Sequence, residues 1–256
     1  MDIYHNTLVF NKLRIRAKIL IMQILRIAFC IIPHRKVNEQ KILVLSYFNL
    51  GDVICDIPSL RALKLQWPNA KIHLLMRRPT GVNMMSTCPY VDSAEIITSD
   101  LDNWKSYFKQ LYHLKRMNFD MSFQLVRPFA QYRKTNIPYL IGIPKRYGII
   151  DKKDEKLYQH CFTKYTYVQG KTSRKEESIR IIELSGLKVV DTNTECWIPP
   201  KIDDLYAQSK QPFVVIHPGA SLEYKCWPKE KFIQLINYID YKYNCPIYVT
   251  GTSSEN

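Results

Sequence analysis

From Lys41 onward the chain alternates short apolar runs with longer segments whose apolar residues recur every three or four positions. The runs Lys41–Leu45, Lys71–Met76, Ala94–Thr98, Met121–Val126, Phe213–His217 and Ile247–Thr250 predict strands. Several lack strict apolar–polar alternation, as expected for strands covered on both faces of a parallel sheet. Helical spacing between the runs predicts helices over about 53–66, 101–116, 174–186 and 229–243. The first repeats Ile54, Ile57, Leu60 and Leu63; the last repeats Phe232, Leu235, Ile236 and Ile239. Gly186 is a common helix stop. This order predicts an α/β fold with parallel sheets.

The polar stretch from Pro199-Pro200-Lys201 to Gln211 separates two such series. The expected organisation is a basic amphipathic helix over 1–40, a first domain over 41–198, a linker over 199–211 and a second domain over 212–256. The second series holds only strand, helix, strand. Such a unit cannot cover both faces of its sheet, so the second domain is expected to be incomplete and to present an apolar patch.

Residues 8–34 stand apart. Lys12, Arg14, Arg16 and Lys18 precede an apolar run, Ile19 to Ile32, that is interrupted by Arg26. The run is short of the roughly 20 residues that span a bilayer. No small-residue cleavage site follows it, which argues against a signal peptide. Two readings stand: a helix lying on an anionic membrane surface, or a helix packed on the main domain with its basic face in water.

Composition narrows the partners. The 256 residues are 46% hydrophobic, with 14 Pro and 8 Gly, which fits a globular core. Lys and Arg number 37 against 23 Asp and Glu, a net charge of +14 that attracts anions. No zinc-finger or RNA-binding signature accompanies the charge, so nucleic acid is not an expected partner. The seven cysteines are scattered without a CxxC pair, the usage of a reducing cytoplasm. The six histidines form no HxxxH or HExxH pair, and neither a metal nor a cofactor is expected.

Two segments carry candidate chemistry. The first strand runs into Ser46-Tyr47-Phe48-Asn49-Leu50-Gly51-Asp52, with a helix expected from about Val53. Gly51 and Asp52 are thereby expected in the loop at the carboxyl end of a strand, where open α/β sheets bind ligands. Gly51 permits close backbone approach, and Asp52 either caps the helix or serves as a base. The second segment is Phe213-Val-Val-Ile-His217-Pro-Gly-Ala220-Ser221, then Lys225-Cys226-Trp227-Pro228. Strand, small-residue loop, lysine and helix start form a layout that receives phosphates. An ordinary strand–loop–helix link, with Lys225 in water and Trp227 in the core, is the plainer reading.

Taken together, these segments resemble glycosyltransferase family 9, the lipopolysaccharide heptosyltransferases. Lys41 to Val53 with Leu-Gly-Asp, then Pro58 and Leu60-Arg61-Ala62-Leu63, resembles the family's N-terminal signature. His217-Pro-Gly-Ala220, Lys225-x-Trp227-Pro228 and Gly251-Thr-Ser-Ser-Glu255 resemble its donor-domain entry. The resemblance implies a GT-B-like α/β architecture, with a complete N-terminal Rossmann-like domain and the first β-α-β of a second. It implies inverting, metal-independent sugar transfer, typically of heptose from ADP-heptose, to a lipopolysaccharide-core or related anionic glycolipid. By position it implies Asp52 as general base and Asn49 and Gly51 in the acceptor-side loop. Ser221, Lys225 and Glu255 become donor ligands. Cysteine usage makes the expected location cytoplasmic, and the surface-lying reading of residues 8–34 would make the chain peripheral on the inner face of the membrane.

This sequence departs from the family where Ser46 replaces a frequent Arg and where Ala220 lacks a hydroxyl. It also has no counterpart of a later Asp-Ser/Thr-Gly-x-x-His loop. A truncated, non-catalytic remnant or fragment of such an enzyme, or an enzyme using another nucleotide-sugar, remain open readings.

Overall fold

The computed structural model describes residues 23–24, 26–27, 31, 40–46, 50–97, 104–126, 136–195, 197, 211–220 and 223–251. The chain divides into two compact units, Met1–Trp197 and Ile198–Asn256. The first builds β1 (Lys41–Ser46), α1 (Leu50–Gln66), β2 (Lys71–Met76), α2 (Pro79–Met85), β3 (Ser93–Ile96), α3 (Trp104–Met117) and β4 (Met121–Gln124). It continues with β5 (Lys145–Ile150), β6 (Lys164–Tyr167) and α4 (Arg174–Glu183), with one-turn helices at Ile137–Leu140 and Glu155–Tyr158.

The six strands form one sheet in the order β3-β2-β1-β4-β5-β6, and every pairing is parallel. Lys41 to Ser46 register with Lys71 to Met76 on one side, and Ile42 to Leu45 with Met121 to Gln124 on the other. The order reverses between β1 and β4. In an open α/β sheet, the carboxyl ends of the strands at such a switch point line the ligand crevice.

The apolar strand runs are explained by two covered faces. Leu43, Leu45 and Leu75 join Leu111 and Leu114 of α3 in one core. Ile42, Val44, Ile72 and Leu74 join Val53, Leu60 and Leu63 of α1 and Ile181 of α4 in the other. Successive residues of β1 thus point into opposite cores, so both members of each pair must be apolar.

Strands β5 and β6 and helix α2 lie outside the elements the apolar pattern predicts. Strand β5 opens Lys145-Arg146, yet Arg146 is buried because its side chain donates to the Cys161 and Ile143 carbonyls. Gly148 is required there by packing: a Cβ at this position would stand 2.1 Å from Phe162 Cε1. Edge strand β6 is only half-buried, which leaves no apolar run to read.

The second unit contains β7 (Val214–Ile216), a short 3-10 turn at Glu223–Lys225, α5 (Lys229–Tyr243) and β8 (Ile247–Val249). Strands β7 and β8 pair in parallel, Val214 with Ile247 and Ile216 with Val249. Asn244 ends α5 in the left-handed conformation, its N–H donating to the Asp240 carbonyl at 2.9 Å. Among the described residues of this unit only Ile216 is buried. Val215, Tyr248 and Val249 are each more than half exposed.

Candidate functional site

Helix α1 begins at Leu50, three residues before the start the apolar spacing predicts. Gly51 and Asp52 therefore lie in its first turn and not in the preceding loop. The early start follows from chemistry that periodicity does not register, since a carboxylate in a first turn is favoured by the helix dipole. Asp52 is half-buried and Gly51 exposed. A Cβ built on Gly51 would meet nothing within 4 Å, so the space over this backbone is open. Asn49 lies outside the described residues.

One turn further along, Asp56 is fully buried. The Ser46 hydroxyl, at the end of β1, donates to Asp56 Oδ2 at 2.7 Å. Arg174, the first residue of α4, donates from Nη2 to both carboxylate oxygens at 2.9 and 3.0 Å. Below this, the Ser59 and Ser178 hydroxyls meet at 2.7 Å. The end of β1, the middle of α1 and the first turns of α4 are thereby joined beside the switch point. Helix α4 itself begins on a capping box: Ser173 Oγ accepts from the Glu176 N–H, and Glu176 accepts from the Ser173 N–H at 2.9 Å.

Burial pushes the Asp56 carboxyl upward from its usual range, against the pull of the Arg174 guanidinium and the Ser46 hydroxyl. Repulsion from Asp52 adds to the upward push. Burial likewise raises the Cys55 thiol, with Asp56 and Asp52 contributing. Asp52, Cys55 and Asp56 are spaced at i, i+3 and i+4, which places them on one side of α1. The Ser46 hydroxyl is committed to Asp56, so the position where the resembled family often carries Arg serves here as an internal tie.

Asp56 and Arg174 are missed by sequence reasoning. A carboxylate among Val53, Ile57 and Leu60, on the packed side of a helix, signals that a buried partner is required. Nothing local identifies that partner, which is 118 residues away.

In the second unit, His217 follows β7. Its Nδ1 lies 3.0 Å from the Thr250 carbonyl and 3.2 Å from Thr250 Oγ1. The Thr250 N–H donates to the Ile216 carbonyl at 2.9 Å. These bonds bring the loop after β7 beside the residues that follow β8. Lys225 closes the 3-10 turn, exposed, with Nζ 5.9 Å from the Tyr224 ring centroid. Trp227 is half exposed and meets Phe232 edge-on at 5.1 Å. Pro228 is the N-cap of α5 with extended backbone; its carbonyl accepts from Lys231 at 3.0 Å. Lys225 thus stands just before the amino end of a 15-residue helix, the end that favours anions. Ser221 and Glu255 lie outside the described residues. Among the described residues, no group of three or more His, Cys, Asp or Glu is arranged to hold a metal ion. No described helix is long and apolar enough to cross a membrane.

The parallel sheet with its reversal beside β1 and the second β-α-β unit give an α/β, GT-B-like fold. The chain is 18% identical, with a TM-score of 0.64, to the crystal structure of a glycosyl transferase family 9 protein from Veillonella parvula DSM 2008, covering 87% of this chain and 66% of that one. It is also 18% identical, with a TM-score of 0.61, to the structure of the E. coli ADP-heptose lps heptosyltransferase II, covering 84% of this chain and 66% of that one. In sequence it is similar to Lipopolysaccharide heptosyltransferase 3 of Escherichia coli (strain K12), 23% identical over 217 residues, or 80% of this chain and 62% of that protein. No protein-family model matches the chain. These likenesses show the fold that the chain shares with structures of glycosyl transferase family 9 and of a heptosyltransferase. The chain spans 62% of the curated relative and 66% of each of these two structures.

Proposed function

We propose that this chain carries the acceptor-side base and the donor-phosphate lysine of an inverting glycosyltransferase. The donor is a nucleotide-sugar, ADP-heptose in the reading favoured by the relatives, and the acceptor is a lipopolysaccharide-core or related anionic glycolipid. The observation that carries the reading is Asp52. It is half-buried in the first turn of α1, beside an open backbone at Gly51, where the strand order reverses.

An acceptor sugar hydroxyl attacks the anomeric carbon from the face opposite the diphosphate. Asp52 takes the hydroxyl proton as the new C–O bond forms. The bond from the anomeric carbon to the phosphate oxygen breaks, and its electron pair leaves with the nucleoside diphosphate. Lys225 and the amino end of α5 stabilise the charge that gathers there. By the resemblance, Ser221 is assigned to the phosphates, Glu255 to the ribose and Asn49 to the acceptor, with Gly51 beside Asp52 in the first turn of α1. Because Lys225 and the helix end provide the countercharge, transfer is expected to continue in EDTA.

The test is transfer of labelled heptose from ADP-heptose to a lipopolysaccharide-core glycolipid. Asp52→Asn is expected to lower turnover by about 100-fold or more while leaving donor affinity unchanged. Unchanged turnover would remove Asp52 as the base.

A further inference from the structure

The run Leu60-Arg61-Ala62-Leu63 carries part of the family resemblance, yet the proposed chemistry gives its arginine no task. Leu60 and Leu63 enter the apolar core beneath α1. Arg61 is only 8% exposed, and a buried guanidinium needs partners. It finds them in residues 187–195, a segment that forms neither helix nor strand. Arg61 Nη1 lies 2.5 Å from Asp191 Oδ2. Its Nη2 donates to the Asn193 carbonyl at 3.1 Å, and both Nη2 and, at 3.0 Å, Nε donate to Glu195 Oε1. The Tyr90 hydroxyl donates to the same carboxylate oxygen at 2.9 Å, and the Tyr90 ring meets Trp197 edge-on at 5.7 Å.

A segment without a helical or strand ladder must be held by side chains. Val189 enters the core, and Leu187 and Trp197 pack against it. Lys175 donates to the Thr192 carbonyl at 3.2 Å from an exposed position. Arg61 supplies the buried fastening, at Asp191, Asn193 and Glu195. The planar fork of a guanidinium suits this work, because its donors diverge and reach several acceptors in fixed geometry.

The segment's place in the chain gives the clamp its consequence. The first unit ends at Trp197 and the second begins at Ile198. Arg61 belongs to α1, the helix whose first turn holds Asp52. The stretch that leads to the second unit is thereby fastened to the helix that carries the proposed base. We propose that Arg61 is a positioning residue for glycosyl transfer, fixing the point on the first unit from which the second is tethered. The inference rests on the glycosyl-transfer reading. Releasing 187–195 would lengthen the tether, let the donor-bearing unit sample a larger volume and lower the effective concentration of donor at Asp52. Donor binding itself, which that reading assigns to the second unit, would be untouched.

The experiment combines hydrogen–deuterium exchange, steady-state transfer and calorimetry on the full chain. Arg61→Gln opens the clamp from α1. The double variant Asp191→Asn, Glu195→Gln opens it from the segment, whose carboxylates are partly exposed, and serves where Arg61→Gln fails to fold. Peptides covering 187–195 are expected to exchange about tenfold or more faster in both variants, with exchange in β1 and β4 unchanged. The kcat for transfer of labelled heptose is expected to fall about threefold or more, with the Kd for ADP-heptose unchanged. Unchanged exchange over 187–195 would overturn the clamp. Faster exchange with an unchanged kcat would overturn the positioning role and leave Arg61 a structural tie. A parent chain that transfers no sugar would overturn the glycosyl-transfer reading, and the positioning role with it.

Discussion

Removing the carboxylate of Asp56 is the most informative perturbation of the first unit. Asp56 is fully buried and accepts one bond from Ser46 and two from Arg174, between 2.7 and 3.0 Å. The Arg174 side chain is only 14% exposed, so it cannot turn freely into water once its partner is gone. Hydrogen bonds to charged groups contribute about 1.5–3 kcal/mol each, and deleting one partner of a buried ion pair typically costs about 3–5 kcal/mol. Asp56→Ala is therefore expected to destabilise the first unit by about 3–5 kcal/mol in equilibrium urea unfolding followed by far-UV circular dichroism.

Replacing both partners, Asp56→Leu with Arg174→Met, should cost far less than the sum of the single changes, because neither charge remains buried alone. The variant Arg174→Met adds a pH signature. With the guanidinium gone, burial and repulsion from Asp52 hold the Asp56 carboxyl further above its unfolded value. The stability associated with it is then full below the unfolded pKa and is lost as pH rises through the folded one. A cost for Asp56→Ala below about 1 kcal/mol, or single effects that simply add, would refute this account of the junction.

Two further predictions test the frame around it. Gly148→Ala would drive a Cβ into Phe162, and an overpacking cost of about 1–3 kcal/mol is expected, partly relieved by Phe162→Leu; a neutral Gly148→Ala would contradict the β5 packing. Burial pushes the Asp92 carboxyl up, but the Lys64 hydrogen bond at 2.8 Å, the Ile72 N–H and the charges of Lys64 and Lys71 outweigh it and hold it below its usual value. Its stabilisation is then present above the unfolded carboxyl pKa of about 3.9 and fades as pH falls through the lower folded value. Asp92→Asn should flatten the acid limb of the stability profile, and an unchanged limb would refute the assignment.

What the sequence discloses about this fold depends on how each residue satisfies its chemistry. Strands β1 and β2 are legible because residues on both faces enter apolar cores, and α5 is legible from its repeat of Phe232, Leu235 and Ile239. Strand β5 is not, because the buried Arg146 is hydrogen-bonded by carbonyls that only the folded chain brings near. The first turn of α1 escapes the apolar repeat because Gly51 and Asp52 contribute backbone and charge in place of apolar area. Motif spacing identifies Asp52 and Lys225 as candidates. The tie one turn along from the first of them, Ser46–Asp56–Arg174, depends on a contact 118 residues apart and leaves no trace in local pattern.

The central claim, that the loop and helix start around Lys225 receive the diphosphate of a nucleotide-sugar, is tested most directly by titrating the chain with ADP-heptose and with UDP-sugars in a calorimeter. The account predicts micromolar binding of ADP-heptose, corresponding to about −8 kcal/mol, and weaker binding of UDP-sugars. It predicts that Lys225→Ala weakens ADP-heptose binding about tenfold, which is about 1.4 kcal/mol. No binding of any donor, or donor binding that Lys225→Ala leaves unaltered, would contradict it.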